Sequence, residues 1–202
     1  MTTAEGTNPG ARALHRLAEL GCCTIEPGLT DAEFARIEHE HGFEFADDHR
    51  AFLAAGLPVN SPFEPEEGVT YAWEKPWPEW RNGNPDELRE QLDWPTGGVL
   101  WAVERHGHWP PAWGARPDTP EAAVEAARRL LADVPRMIPV YAHRFLPAGR
   151  GTSGHPVLSI YGTDMIYYGT DLADYVDREF TESERPEDWS PRATVPFWRD
   201  YL

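Results

Sequence analysis

The sequence predicts an α+β fold in which helices flank a mainly antiparallel sheet. Helical patterns with capping residues dominate the first half of the chain, and the strand-like segments after residue 136 follow one another without an intervening helix. Consecutive strands joined by short turns pair antiparallel, whereas a parallel sheet requires long crossovers. A length of 202 residues with 41% hydrophobic residues suits one domain. We therefore expect a single domain over 1–202, with a core over about 28–180, an N-terminal helix over about 11–20 and a C-terminal tail over 181–202.

Three helices are predicted before residue 56. Apolar residues at helical spacing over 11–20 indicate the first helix, and Gly21 follows as its stop. Thr30 and Glu33 have the spacing of a capping box, in which each side chain bonds to the backbone amide of the other residue, and this box begins the second helix. Asp47 is expected to cap a third short helix, because its carboxylate can accept a backbone amide.

The middle of the chain alternates between loops and regular elements. Residues 57–81 are rich in proline and tryptophan and show no periodic pattern. Asn84, followed by a first-turn proline, indicates a short helix, and the alternation in GGVLWAVE (97–104) predicts a strand. After a second loop over 106–118, Thr119 caps the clearest helix in the chain. The inner stripe of this helix is predicted to contain Ala123, Ala127, Leu130, Leu131 and Val134.

The last third of the chain is predicted to supply most of the sheet. RMIPVYAHRFL contains Pro139, which cannot donate a hydrogen bond in a central strand and so favours an edge strand or a bulge. PVLSIYGTDMIYYG contains two apolar runs around Gly-Thr-Asp, which predicts a β-hairpin. Thr170 is expected to cap a last helix that directs Leu172, Tyr175 and Val176 inward.

The chain is strongly acidic. It has 18 Lys and Arg against 34 Asp and Glu, a formal net charge of −16 at pH 7, which disfavours direct binding to nucleic acid or to anionic membranes. Such a surface fits a basic protein partner, and the alternative is that the charge only maintains solubility. The sequence has neither a signal-peptide pattern nor a run of about 20 apolar residues, so we expect a cytoplasmic protein.

The two cysteines, Cys22 and Cys23, are adjacent in the sequence. This arrangement rules out a disulfide framework and a zinc site made of thiolates. We expect reduced, partly buried thiols. A vicinal redox pair is the alternative, although no C-x-x-C spacing supports it.

One run of residues has the composition of a metal site. Glu104, His106 and His108 alternate at the end of the predicted strand, where all three side chains point to one side. Two imidazoles and a carboxylate can bind zinc or iron, although Gly107 lets the backbone turn between them. The alternative function is therefore a metal-dependent enzyme, with His143, His155 and Asp164 as candidate further ligands. The main expectation is a protein without metal, cofactor or catalytic residues. The sequence shows no residues that would orient these metal ligands, and the nucleophile-elbow, phosphate-loop and dinucleotide motifs are absent.

Three segments resemble the SUKH superfamily. GLTDAEFARIEHEHGFEFADDHRAFLAAGLP resembles the entry helices of its members, in which a helix leads through Gly and Phe into a second helix that begins with acidic residues. WAVERHGHWPPAWG and VLSIYGTDMIYYGTDLADYV resemble the middle and closing segments of actinobacterial members, so the resemblance covers roughly residues 28 to 180. Ala46 departs from the usual proline before the acidic turn, and His108 stands where an aromatic residue is expected.

The resemblance implies an α+β domain with a concave binding surface and no catalytic set. Bacterial SUKH proteins are best known as immunity proteins that neutralise toxin domains, many of them nucleases, and fungal relatives act as interaction hubs. We therefore expect a non-catalytic protein-binding module, in particular an immunity protein whose partner is a basic toxin domain such as a nuclease. A housekeeping scaffold without a toxin partner is a further alternative.

The expected binding surface combines rigid aromatic anchors with an acidic rim. The candidate residues are Trp77, Trp80, Trp109, Trp113, Asp47, Asp48, Glu64, Glu66 and Glu67. The surface requires the loops 57–81 and 106–118 to meet. The alternative for each tryptophan is that it fixes a long loop onto the core.

Overall fold

Six helices and six strands make up the regular structure of the residues that the computed structural model describes, which are 8–62, 73–184, 186 and 188–202. In chain order they are α1 (Pro9–Leu20), β1 (Thr24–Glu26), α2 (Asp31–His41), α3 (Asp47–Ala55), β2 (Leu57–Val59), α4 (Pro85–His106), α5 (Pro120–Leu131), β3 (Met137–Tyr141), β4 (Arg144–Pro147), β5 (Val157–Tyr161), β6 (Asp164–Gly169) and α6 (Leu172–Phe180). Short 3-10 helices span Pro111–Trp113 and Trp198–Tyr201. All strand pairs are antiparallel, so the predicted α+β class is confirmed.

The larger sheet is a four-stranded meander in the order β3-β4-β5-β6. The predicted hairpin is confirmed as β5 and β6, which pair from Val157 with Gly169 to Tyr161 with Asp164. The expectation for Pro139 is also confirmed, because β3 is an edge strand and its register with β4 shifts after that residue. The sequence patterns did not predict β1 and β2, which form a separate two-stranded sheet.

The larger sheet separates two hydrophobic clusters. Neighbouring residues on a strand point to opposite faces, and Phe145 and Leu146 of β4 accordingly belong to different clusters. The cluster of Leu146 includes residues of α1, α2, α3 and α6. The cluster of Phe145 includes Val99 of α4, the end of α5 and Trp198 near the C-terminus. Helices therefore cover both faces of the sheet, and Val99 anchors the second half of α4.

Most predicted helix boundaries follow their capping chemistry. The Thr30 hydroxyl accepts the Glu33 amide at 3.3 Å and the Glu33 carboxylate accepts the Thr30 amide at 2.7 Å, which confirms the capping box of α2. The side chains of Asn84 and Thr119 cap α4 and α5, and a proline follows each of them. Gly21 ends α1 with a left-handed φ of 62°, a conformation that glycine adopts without a Cβ clash.

Two predicted caps are wrong. α3 begins after Ala46, which makes no side-chain capping bond, and Asp47 is its first helical residue. α6 is capped by Asp171, whose carboxylate accepts two backbone amides, whereas Thr170 donates to Asp174. At the start of α6, Thr170 and Asp171 are both good N-caps in adjacent positions, so the sequence does not decide between them.

The predicted strand over 97–104 is also wrong, because these residues form the second half of α4. Leu92, Val99 and Val103 are buried, while Trp101 and Glu104 face solvent. A short apolar run is compatible with a buried strand or with one side of a helix, and periodicity alone does not separate the two. The helix continues through an internal proline at position 95, although proline lacks the amide that the helical ladder uses.

The helix α5 begins as predicted, but two residues of its stripe are misplaced, because Val134 lies after the helix ends at Leu131 and Leu130 is on the surface. Ala123, Ala127 and Leu131 are buried at intervals of four residues, whereas Leu130 is exposed. Successive residues of a helix are about 100° apart, so Leu130 and Leu131 do not share the centre of one face.

Cys22 and Cys23 follow α1 as free thiols, of which Cys22 is exposed and Cys23 is half-buried. Burial raises the pKa of Cys23 to about 12, and the neighbouring Cys22 raises it further. The thiolate is the reactive form, so such a thiol is a poor member of a redox pair. We expect iodoacetamide at neutral pH to modify the remaining thiol of the Cys23→Ser variant much faster than that of the Cys22→Ser variant. Equal rates, measured by mass spectrometry over time, would contradict the burial of Cys23.

Candidate functional site

A groove of about 1130 Å³ runs along α4 beside the turn between β5 and β6. The α4 residues that line it recur every three or four positions, as expected for one face of a helix. They include Glu90, Trp94, Gly97 and Trp101, and the turn contributes Tyr161 and Asp164. The volume exceeds the range of about 300–1,000 Å³ that is usual for small-ligand pockets. The groove therefore has room for a segment of a macromolecule.

Glycines bring the turn onto the helix and leave the groove open. A Cβ at Gly98 would lie 2.8 Å from the Gly162 Cα, so the turn approaches α4 more closely than any other residue at 98 permits. Gly162 has a φ of 64°, which glycine adopts without strain. A Cβ at Gly97, in contrast, would meet no described atom within 4 Å. The helix consequently has an open position in the middle of the groove.

Aromatic side chains form the apolar part of the groove. Trp101 is 55% exposed and Tyr161 is 59% exposed, which are high values for such large rings. Trp94 is fixed to the sheet, because its Nε1 donates to the Ile160 carbonyl at 3.1 Å and its ring centroid lies 5.8 Å from that of Tyr161. Trp101 contacts the ring of His106, with centroids 4.7 Å apart. Large parts of Trp101 and Tyr161 therefore remain available to a partner.

A second layer of aromatic rings packs behind Trp94 and Tyr161. The ring of Trp73 lies 5.0 Å from that of Trp94, and the ring of His143 lies 6.0 Å from that of Tyr161. Trp73 and His143 are stacked at 6.4 Å. Burial, with a smaller effect of Arg144, lowers the pKa of His143 to about 4, so its ring is neutral at pH 7 and adds no positive charge. The packing holds Trp94 and Tyr161 in place before any ligand arrives.

The remainder of the groove is acidic. Its charged side chains include the carboxylates Asp86, Glu90, Asp93 and Asp164 and the guanidinium Arg89. Asp86 pairs with Arg89 at 2.6 Å. Glu90 and Asp164 have no ion-pair partner within the part of the chain that the structure describes. The groove thus carries a net negative charge at pH 7 and has carboxylates free to bind a cation.

Trp77 and Trp80, two of the predicted interface anchors, lie in the core instead of on the surface. Trp77 is 5% exposed and Trp80 is 1% exposed. The Trp80 ring packs on Phe45 at 5.3 Å, and the Trp77 ring packs on Tyr141 at 4.6 Å. These tryptophans fix the end of the loop 57–81 onto the core, which is the alternative that the sequence left open. They have little surface to offer a partner.

Trp109 and Trp113 are half-buried beside a small cluster between α4 and α5. Their rings are nearly perpendicular with centroids 5.0 Å apart, and Trp109 Nε1 donates to the Gly114 carbonyl at 3.0 Å. Trp77 and Trp80 belong to the opposite side of the core, the cluster of α1, α2, α3 and α6. The structure therefore does not bring these four tryptophans into one surface.

The predicted acidic rim is divided as well. The Asp47 carboxylate accepts the Gly151 amide at 2.9 Å, and the Asp48 carboxylate accepts the Gly154 amide at 2.8 Å. Asp48 is only 1% exposed, so it holds the loop after β4 and is not a surface residue. The other members of the rim, Glu64, Glu66 and Glu67, lie outside the described residues.

Glu104, His106 and His108 do not converge on one point. Residues 104 and 106 belong to α4, where two positions correspond to about 200° around the axis. His108 follows Gly107, which ends the helix, and its Nε2 lies 3.4 Å from the Tyr201 hydroxyl. The predicted arrangement depended on an extended strand and is wrong. Over the ranges that the structure describes, no three His, Cys, Asp or Glu side chains are grouped so that they could hold a metal ion.

Sequence reasoning missed the groove because it missed the length of α4. On a helix over 85–106, positions 90, 94, 97 and 101 are spaced by three or four and lie on one face. That face combines a carboxylate, two tryptophans and a glycine, a pattern visible in the sequence once the helix is assigned. The contribution of Tyr161 and Asp164 depends on the approach of the β5–β6 turn to Gly98, which no local pattern indicates.

Comparisons with models of known protein families, with curated proteins and with solved structures find no match to the chain. None of the described helices, the 22-residue α4 included, has the length and apolar character needed to cross a membrane. The groove is thus the feature from which a function is inferred.

Proposed function

We propose that this protein is a cytoplasmic protein-binding module and that the groove along α4 receives a basic segment of its partner. The observation that carries the proposal is the exposure of Trp101 and Tyr161 beside carboxylates without ion-pair partners. A few central residues, most often Trp, Tyr and Arg, supply most of the binding energy in many protein interfaces. An exposed apolar patch rimmed by polar residues is likewise typical of an interaction site.

The charge of the molecule favours a basic partner. The formal net charge of −16 attracts a basic protein over a distance of several ångströms and accelerates its association. Within the groove, the carboxylates of Glu90 and Asp164 can form ion pairs with Lys or Arg side chains of the partner. Complementary charge of this kind raises the association rate and the specificity more than the affinity itself.

Neutralisation of a toxin domain is the specific form of this function that we propose. The resemblance of the entry, middle and closing segments to the SUKH superfamily supports it. The acidity of the chain supports it as well, because a nuclease binds the phosphate backbone in a basic cleft, and an acidic protein is complementary to that charge. The module acts by holding a basic segment beside that cleft in its own groove, which keeps nucleic acid out of the cleft, and it catalyses no reaction.

Affinity capture of the partner with charge variants tests this function. The Glu90→Gln/Asp164→Asn variant is expected to slow association with the captured partner by about tenfold at low salt, because it removes the free carboxylates of the groove. The control is Glu121→Gln/Asp133→Asn, which removes the same charge from exposed positions outside the groove. Surface plasmon resonance at several salt concentrations measures both.

The outcomes separate the possibilities. Equal association rates for the two variants would contradict the groove as the binding site. A groove-dependent partner that is a housekeeping protein without toxic activity would assign the scaffold role and exclude the toxin. A groove-dependent toxin whose activity is blocked supports the immunity function.

A further inference from the structure

We infer that the open position at Gly97 receives an arginine side chain of the partner. This arginine site rests on the proposed function and adds the chemical identity of the group that the groove recognises. It follows from the glycine, from the aromatic residues around it and from the carboxylates beside them.

Glycine at position 97 has no use inside the described structure. A glycine inside a helix destabilises the helix relative to alanine, and position 97 lies near the middle of the 22-residue α4. The adjacent Gly98 is required by its contact with Gly162, but a Cβ at Gly97 would touch no described atom. The space above Gly97 instead allows a side chain of a bound partner to reach the surface of α4. A locally unfavourable residue without an internal role is typical of a functional position.

Trp94 and Trp101 flank this position on the same face of the helix. Gly97 lies three residues after Trp94 and four residues before Trp101, so both are its neighbours on the helix surface. The two tryptophans are seven residues apart, about 10 Å along the axis. Stacked groups lie about 3.5–4.0 Å apart, so a flat side chain between two rings needs about 7–8 Å, and the spacing of these two residues along the axis is long enough for one. Tyr161 lines the same groove from the β5–β6 turn.

A guanidinium group fits these surroundings better than an ammonium group. It is planar and weakly hydrated, so its faces stack on aromatic rings while its N–H groups donate in the plane. Glu90 and Asp164 line the groove without an ion-pair partner among the described residues and can accept those bonds, whereas Asp93 lies 3.7 Å from the Arg136 guanidinium. A lysine ammonium is a strongly hydrated point charge, so it is stabilised less by stacking against aromatic rings.

The protein uses the same combination within its own fold. The Arg144 guanidinium lies 3.8 Å from the centre of the Tyr168 ring and bonds to Glu179 at 2.9 Å. The Arg178 guanidinium lies 4.8 Å from the centre of the Trp189 ring and bonds to Asp174 at 2.9 Å. In the groove the aromatic rings and the carboxylates are present, and the groove's own Arg89 is paired with Asp86. An arginine of the partner would complete the same combination beside Gly97.

Arginine amide and lysine amide are the compounds that test the site. In nuclear magnetic resonance spectra of the full chain at low salt, we expect arginine amide to shift the indole N–H signals of Trp94 and Trp101. Its affinity should exceed that of lysine amide by at least about fivefold. The Gly97→Leu variant should lose the response and unfold at higher urea concentration than the wild type, because leucine fills open space and favours the helix. The Gly97→Ala variant is the control, which gains stability but leaves most of the gap open.

Equal responses to the two amides, or a response that survives in Gly97→Leu, would overturn the arginine site. A failure here is distinguishable from a failure of the proposed function. If binding of the partner depends on Glu90 and Asp164 but the groove does not respond to arginine amide, the groove remains the docking surface and only the arginine site is refuted. An arginine-specific response together with a partner that ignores the groove carboxylates supports the arginine site chemically and refutes the role assigned to it.

Discussion

Replacing Trp80 with alanine is expected to lower the free energy of unfolding by about 3–5 kcal/mol, the range for truncating a large aromatic residue in a core. The Trp80 ring is 1% exposed and packs on Phe43 and Phe45 at centroid distances of 6.1 and 5.3 Å. Removing it leaves a cavity that the surrounding rings can fill only in part. Urea denaturation measures the effect, and the slope with denaturant shows whether the transition stays two-state.

Trp101→Ala is the matched control for this prediction. Trp101 is on the surface of α4, so its loss is expected to change the free energy of unfolding by less than about 1 kcal/mol. The pair separates two roles that tryptophan plays in this chain, filling the core and offering a surface. A Trp80→Ala protein as stable as the Trp101→Ala protein would contradict the placement of residues 73–81.

Acidification is expected to destabilise the protein through His49. This loss of stability begins at a higher pH than the protonation of most carboxylates. His49 is fully buried in α3 and its ring packs on Phe45 at 5.2 Å. Burial lowers the pKa of His49 from 6.5 to about 3. The folded protein keeps the ring neutral, while the unfolded chain binds a proton below about pH 6.5, so stability falls as the pH falls from about 6.5 towards 3. By about pH 4 the loss due to His49 is on the order of 3 kcal/mol.

The His49→Leu variant provides the control, because leucine does not titrate. Its free energy of unfolding should depend less steeply on pH between about 6.5 and 4.5 than that of the wild type. Glu33 acts mainly below this window, because the unfolded chain protonates its carboxyl only near the ordinary pKa of 4.5, while the hydrogen bond from Arg81 lowers that pKa to about 2 in the folded protein. Parallel pH profiles for the variant and the wild type, or a His49 ring signal that titrates near pH 6.5, would contradict the buried neutral histidine.

The sequence predicted those features of the fold that depend on a few neighbouring residues. The capping box of Thr30 and Glu33 and the hairpin over 157–169 are local chemistry, and both are confirmed. The segment 97–104 was predicted as a strand because its apolar alternation is too short to distinguish a strand from a helix. Only the contact of Val99 with the sheet shows which side of the helix is buried. Where two good capping residues were adjacent, as at Thr170 and Asp171, local chemistry did not choose between them.

The candidate site was harder to predict than the fold. Proline-flanked tryptophans in loops suggested Trp77 and Trp80 as anchors, yet their rings are buried by contacts with residues distant in the sequence. Trp101 falls in the segment predicted as a strand and is an exposed ring of the groove. Whether a tryptophan is covered depends on contacts between elements distant in the sequence, such as α4 and the β5–β6 turn, and residue spacing does not reveal those contacts.

The affinity of the captured partner for Trp101→Ser and Ile166→Ser tests the central claim most directly. Both residues are exposed apolar side chains, at 55% and 46%, but Trp101 lines the groove and Ile166 lies outside it on β6. Calorimetric titration is expected to show at least about tenfold weaker binding for Trp101→Ser, the effect of removing an aromatic anchor, and a change within about twofold for Ile166→Ser. Equal affinities for the two variants, or a larger loss for Ile166→Ser, would show that the partner binds elsewhere on the molecule.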